Sequence, residues 1–219
     1  FSLQLTQADL EFGAAKNTLS AQSVYLKDHW SRGALDLDFT VKYEKLKREF
    51  SPDNVSYLKT ESSHTLGNIK LNYHLSSTMD LFLSGHEGLL PSVNWLTTNL
   101  AQTSRVFRGG INYHHGTTGL SLIGFNNEFY NVFSRCDTID SCAALIDQRR
   151  DIEVRGAEVT ANHTIEFERI SIPLTFSYTY RDQKYASELD IQNIDQPISI
   201  GDELAFLPQH QAFVQIGFS

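Results

Sequence analysis

The chain has 219 residues and carries 26 acidic against 18 basic side chains, a net charge of −8, which argues against the basic face that a nucleic-acid partner needs. Hydrophobic residues make up 41% of it but never gather into a run of about 18, so no transmembrane helix is encoded. A transmembrane barrel stays open, because its strands alternate apolar and polar residues. The first residue is Phe1, and no charged segment followed by an apolar one comes after it. Either a leader has been removed or the chain begins inside a longer protein.

In chain order the sequence predicts an all-β protein, an antiparallel meander of about nine long strands. They fall at about 19–30, 33–49, 62–75, 78–88, 103–114, 118–134, 149–163, 168–182 and 203–219. The span from Gly33 to Tyr43 is the clearest. Leu35, Leu37, Phe39, Val41 and Tyr43 fall on one face, and Asp36, Asp38, Thr40, Lys42 and Glu44 fall on the other. Ile170, Ile172, Leu174, Phe176, Tyr178 and Tyr180 alternate in the same way with Ser171, Pro173, Thr175, Ser177 and Thr179. In the last span Ala212, Val214, Ile216 and Phe218 oppose Gln211, Phe213, Gln215 and Ser219. Several spans exceed the usual five or six residues of soluble strands and suit a tilted crossing of a bilayer.

The connections alternate in length. Tight turns are expected at Ser31-Arg32, Ser76-Ser77, His115-Gly116-Thr117 and near Glu166, with longer segments at about 50–61, 89–102, 135–148 and 183–202. Outer-membrane barrels have this asymmetry, with short periplasmic turns and long outer loops. Tyr43, Tyr73, Tyr113, Phe129, Tyr130, Tyr178 and Tyr180 lie toward strand ends, where an interfacial aromatic girdle would sit.

Four stretches resemble the barrel of TonB-dependent receptors, particularly the ferric-citrate and siderophore branch. Leu81 to Ser92 is similar to a strand ending in a Gly-x-x-x-Gly-Phe-x-Pro-Pro turn, with Leu89 and Leu90 in place of the aromatic region and Ser92 in place of the second proline. Gly119 to Asn131 resembles the form Leu-x-Leu-x-Ala-Phe-Tyr-Asn-Asp-Tyr-x-Asn, and Ile152 to Val159 the strand Val-x-Val-x-Gly-x-Glu-Leu. Gly201 to Gln211 resembles Gly-x-x-Leu-Pro-Tyr-x-Pro-x-His-Gln. The four follow family order over about 135 residues.

The resemblance implies a bacterial outer-membrane location and a 22-stranded barrel around a plug. About nine strands leave two open edges, which lipid does not tolerate, so residues 1–219 are expected to be a partial barrel without its plug. The implied function is import of a ferric siderophore or similar scarce chelate, driven by the TonB complex acting through a plug, with outer-membrane lipid and lipopolysaccharide around the wall. A passive porin-like channel and a secreted β protein for adhesion or carbohydrate binding are the alternatives.

No catalytic constellation and no phosphate loop occurs, so no enzyme activity and no cofactor are expected. The eight histidines include no pair at helical spacing and no Cys-x-x-Cys exists, so no metal site is expected either. The neighbours His114 and His115 read as a solvated turn pair. Cys136 and Cys142 share one predicted outer loop, which suggests a disulfide, with two free thiols as the alternative. Disulfide-pinned outer loops also fit the resembled family. Arg105, Arg108, Arg135, Arg149, Arg150 and Arg181 gather at the predicted outer end. Of these, Arg105, Arg108, Arg149, Arg150 and Arg181 are the candidate ligand-binding residues, because a guanidinium can hold an anionic chelate with two donors. The plainer readings are contacts to lipopolysaccharide phosphates, or ion pairs with Asp137, Asp140, Asp147 and Asp151.

Overall fold

The computed structural model describes residues 2–11, 16–51, 58–90, 101–133, 149–168, 170–187, 199–204 and 207–218. They form ten strands: β1 (Ser2–Glu11), β2 (Lys16–Arg32), β3 (Leu35–Ser51), β4 (Leu58–His74), β5 (Met79–Leu90), β6 (Gln102–His115), β7 (Thr118–Phe133), β8 (Arg149–Phe167), β9 (Ile170–Tyr185) and β10 (His210–Ile216). All lie in one sheet in sequence order, each antiparallel to the next. The expected meander is thus present, with β1 preceding the first strand read from the sequence. The last strand is shorter than expected. Pro208 has no N–H to give to a ladder, and Glu203 makes only an isolated bridge to Lys184.

Local chemistry sets the register. β2 and β3 are joined by Gly33 and Ala34, with Arg32 paired to Leu35, so the turn falls just after the expected Ser31-Arg32. Gly33 has φ 61°, and Gly116, first of the two residues between β6 and β7, has φ 54°. A positive φ at the first position of a two-residue hairpin loop selects glycine. Residues 75–78 make another turn at this end, and β8 passes to β9 here after Phe167. At the opposite end the connections are 12–15, 52–57, 91–101, 134–148 and 186–209. The length asymmetry therefore holds from β2 onward. The connection that β1 adds is no longer than the 75–78 turn.

The register carries the alternation of β3 across the sheet. Phe39 pairs with Ile69, Leu37 with Leu71 and Leu35 with Tyr73. Farther along, Ile111 pairs with Leu122, Leu122 with Val159, Val159 with Tyr178, and Phe176 with Val214. One face is therefore an apolar band. The opposite face holds Asp36, Asn72, Asp80, Asn112, Ser121, Thr160 and Ser177. No second layer covers the band among the described residues. Leu83 is 62%, Phe107 54% and Val214 65% exposed. Apolar side chains left this open need a solvent other than water.

Tyr43, Phe107 and Tyr180 close the band at the loop end, and Trp30, Tyr73 and Tyr113 close it at the turn end. Phe129 does not join this girdle. It pairs with Ser104 and Ile152 on the polar face, because its odd distance from Leu120 and Leu122 turns it inward. Above the band the same outer face becomes ionic, with Arg105 against Glu87, Arg155 against Glu153 and Lys184 against Asp182. A β-bulge between Phe129 and Val132 bends β7 near its loop end. Asn131 holds φ 57° there, and its N–H donates to Asp151 at 3.0 Å.

Candidate functional site

The polar face is the candidate site, and it has two ends. At the turn end, His74 closes β4 one residue past Tyr73, the last apolar residue of the band on that strand. Its Nε2 lies 2.9 Å from Oδ2 of Asp36 on β3, and its Nδ1 lies 2.6 Å from Oδ1 of Asp80 on β5. An ionised carboxylate only accepts hydrogen bonds, so both ring nitrogens must donate and the imidazole is a cation. The two carboxylates, Asp36 before Asp80, hold the His74 pKa above the usual histidine range. Beside them, Nδ1 of His29 lies 2.9 Å from Asp38. The charges here are paired across β2, β3, β4 and β5.

The loop end differs. Arg108 pairs with Phe125, Phe125 with Gly156, and Gly156 with Arg181, so the four form one cross-strand row on the polar face. The row sits at the upper edge of the apolar band, level with Phe107 and Tyr180. The Phe125 ring extends over β8, where a Cβ on Gly156 would meet its Cζ at 2.6 Å. A side chain at 156 would also collide with the Tyr180 carbonyl oxygen, so glycine is what leaves room for the ring there. Phe82 lies over Gly110 in the same way, at 2.9 Å from such a Cβ. Arg108 is exposed and Arg181 half-buried, and neither has an ion-pair partner among the described residues.

The candidate arginines thus separate. Arg105 lies on the opposite face, bound to Glu87 at 3.3 Å and stacked on Tyr130 at 5.6 Å. Arg150 is 9% exposed and its guanidinium stacks on Tyr185 at 5.1 Å, with Nε lacking a hydrogen-bond partner. Only the strand position of Arg149 is described, paired with Phe133. Cys136, Cys142 and Arg135 fall outside the described residues. Arg108 and Arg181 are the two candidates that the fold brings into one row. Residue parity separates Arg105 from Arg108 and was readable in the sequence. Phe125 was not singled out there, because its role depends on which residue of β8 lies opposite.

The sequence matches the family model "TonB dependent receptor-like, beta-barrel" over residues 5–219. Among curated proteins no match is found. Three solved structures share the fold. The ferric citrate transporter FecA in its unliganded form superposes with a TM-score of 0.72 at 16% identity, over 92% of this chain and 30% of FecA. The siderophore receptor PiuA from Acinetobacter baumannii gives 0.66 at 15% identity, over 91% and 31%. The FrpB iron transporter from Neisseria meningitidis (F3-3 variant) gives 0.62 at 12%, over 83% and 27%. The chain therefore spans under a third of each of those structures. Barrels of this family lie in the bacterial outer membrane, which makes the apolar band the lipid face, the polar face the lumen and the short turns the periplasmic end. A match over nearly the whole length, with the meander and the two-faced wall, settles the assignment: the chain belongs to the TonB-dependent receptor-like β-barrel family.

Proposed function

We propose that the protein takes part in energised import of an anionic iron chelate across the outer membrane, this chain forming part of the barrel wall and outer loops. The observation that carries the reading is the pair Arg108 and Arg181, two lumenal guanidiniums without counter-ions among the described residues, at the loop end of a receptor-family barrel. An unpaired guanidinium facing water keeps its donors for an incoming oxyanion. Relatives of the same fold include a ferric citrate transporter, a siderophore receptor and an iron transporter, which favours an iron chelate as cargo. The wall supplies position and charge and no covalent chemistry. A plug coupled to the TonB complex would supply the force, and the ionic belt above the apolar band would meet lipopolysaccharide. A Cys136–Cys142 bridge would hold one outer loop in a single shape and lower the ordering cost of binding.

Iron accumulation by cells expressing the intact receptor tests this against a passive channel. An energised importer concentrates iron from a ferric chelate and stops when the inner-membrane proton gradient is collapsed. Uptake that persists without the gradient rejects it.

A further inference from the structure

The wall forks between β4 and β5. Among the described residues their ladder ends at the pair Asn68 and His86, although β4 reaches back to Leu58 paired with β3, and β5 runs on to Leu90 paired with β6. At the fork the Gly67 N–H donates to Oε2 of Glu87 at 3.2 Å in place of a ladder carbonyl. Oε1 of the same carboxylate accepts from Arg105 Nε at 3.3 Å. Above lies a cavity of about 410 Å³. Thr65, Thr103 and Arg105 line it from the outer face, and His64, Leu66 and Ser104 from the lumenal face. Successive side chains of a strand point to opposite faces, so a cavity that takes both kinds passes through the wall. Thr65 pairs with Tyr43, which closes the apolar band, so this window opens at the headgroup level of the outer leaflet.

Directly below, a second cavity of about 560 Å³ lies between Phe39, Ile69 and Phe107, over Gly67 and Gly85, and shares Glu87 and Arg105 with the window. A Cβ at Gly85 would lie 3.3 Å from Phe107 and 3.7 Å from Ile69, so this groove is narrow enough for a single hydrocarbon chain. A polar window joined to an apolar groove has the two-part form of an amphiphile. We infer that the fork holds a single-chain amphiphile of the outer leaflet, its chain in the groove and an uncharged head in the window. Arg105 is flanked by carboxylates on both neighbouring strands, Glu87 and Glu128, so it has no charge to spare for a phosphate. The hydroxyls of Thr65, Thr103 and Ser104 offer neutral donors and acceptors instead.

Two photoreactive probes test this on the intact receptor in lipid vesicles: a monoacylglycerol and a lysophosphatidic acid with the same diazirine-bearing chain. Cross-linked positions are read by peptide mass spectrometry. The monoacylglycerol should label the groove at Ile69 and Phe107 in preference to the lipid face at Leu120 and Leu122. Gly67→Leu fills the groove at a position where a Cβ meets nothing nearer than Glu87 Oε2 at 3.9 Å. Displacing about two buried methylenes should lower groove labelling roughly tenfold. Gly124→Leu adds the same side chain to the same face with the same room and should leave that labelling unchanged. Glu87→Gln removes one carboxylate from Arg105 and should move the preference toward lysophosphatidic acid. Even labelling of the whole lipid face, or equal groove labelling of Gly67→Leu and the parent, overturns the inference. A parent that favours lysophosphatidic acid overturns the uncharged head.

Discussion

The two ends of the lumenal wall use the same side-chain chemistry to opposite purposes. At the periplasmic end His74 is paired with Asp36 and Asp80 and His29 with Asp38, each on a neighbouring strand, while Lys70 beside Asp38 makes no ion pair among the described residues. At the outer end Arg108 and Arg181 have none among the described residues. A charge satisfied within the wall fixes register and has little left to offer a visitor. A charge without a partner among the described residues keeps its donors for a visitor. On the proposed reading, the contrast separates a structural rim from a recognition surface.

The largest effect tests the face assignment on which the contrast depends. Phe176 lies in the apolar band, paired with Ala161 and Val214, and Ser177 follows it on the polar face. Phe176→Arg should cost about 2–4 kcal/mol if the site lies near the bilayer midplane, read from denaturant unfolding in lipid vesicles. Ser177→Arg should cost far less. Equal costs would mean that the polar face is not the lumen.

Next comes the periplasmic clasp. Asp36→Asn with Asp80→Asn removes both acceptors of the His74 cation, and hydrogen exchange in β3, β4 and β5 near the 75–78 turn should speed up. Unchanged exchange would make the clasp incidental. The same clasp gives a pH dependence of known sign. Because the His74 pKa is raised on folding, its stabilisation is full below the ordinary histidine value of about 6.5 and is lost as pH rises through the higher folded value. Protection of this hairpin should therefore fall between neutral and mildly alkaline pH in the parent, and stay flat in His74→Asn.

The smallest effect lies beyond the membrane. Glu49 and Glu61 are held below the usual carboxylate range by Lys47 and Lys45 respectively, with Lys59 adding to both. The sign is reversed here: the contribution is present above the ordinary glutamate value and is lost as pH falls through the lower folded one. Exposed pairs of this kind are screened, so acidification should loosen the outer ends of β3 and β4 only slightly, and less in high salt.

Much of the fold was legible because alternation is a local property. Leu35 to Tyr43 and Ile170 to Tyr180 declare their two faces within one strand. β1 was passed over because its sequence, with Leu3 and Leu5 followed by Gln7 and Asp9, loses the alternation after two steps. The candidate site was legible only by type. Six arginines near the outer loops were visible, but what each one does is set by register. Arg105 meets Glu87 across 18 residues of chain, and Arg108 falls between Ser84 and Phe125, neither of them charged. His74 was an isolated histidine in the sequence, since the carboxylate on its far side lies 38 residues away. Pairings of that range follow from the hairpin turns, and a one-residue slip at Gly33 would change them all.

The most direct test of the contrast is a side-by-side titration with one anionic probe, ferric citrate, on two variants of the intact receptor. One variant carries Arg108→Gln with Arg181→Gln, and the other carries Asp36→Asn with Asp80→Asn. The first should bind about 10- to 100-fold more weakly while unfolding at the parent's denaturant midpoint, as loss of two charge-assisted contacts implies. The second should bind like the parent while exchanging faster at the periplasmic rim. Equal loss of affinity in both variants, or no loss in the first, would contradict the division of the wall into a recognition end and a structural end.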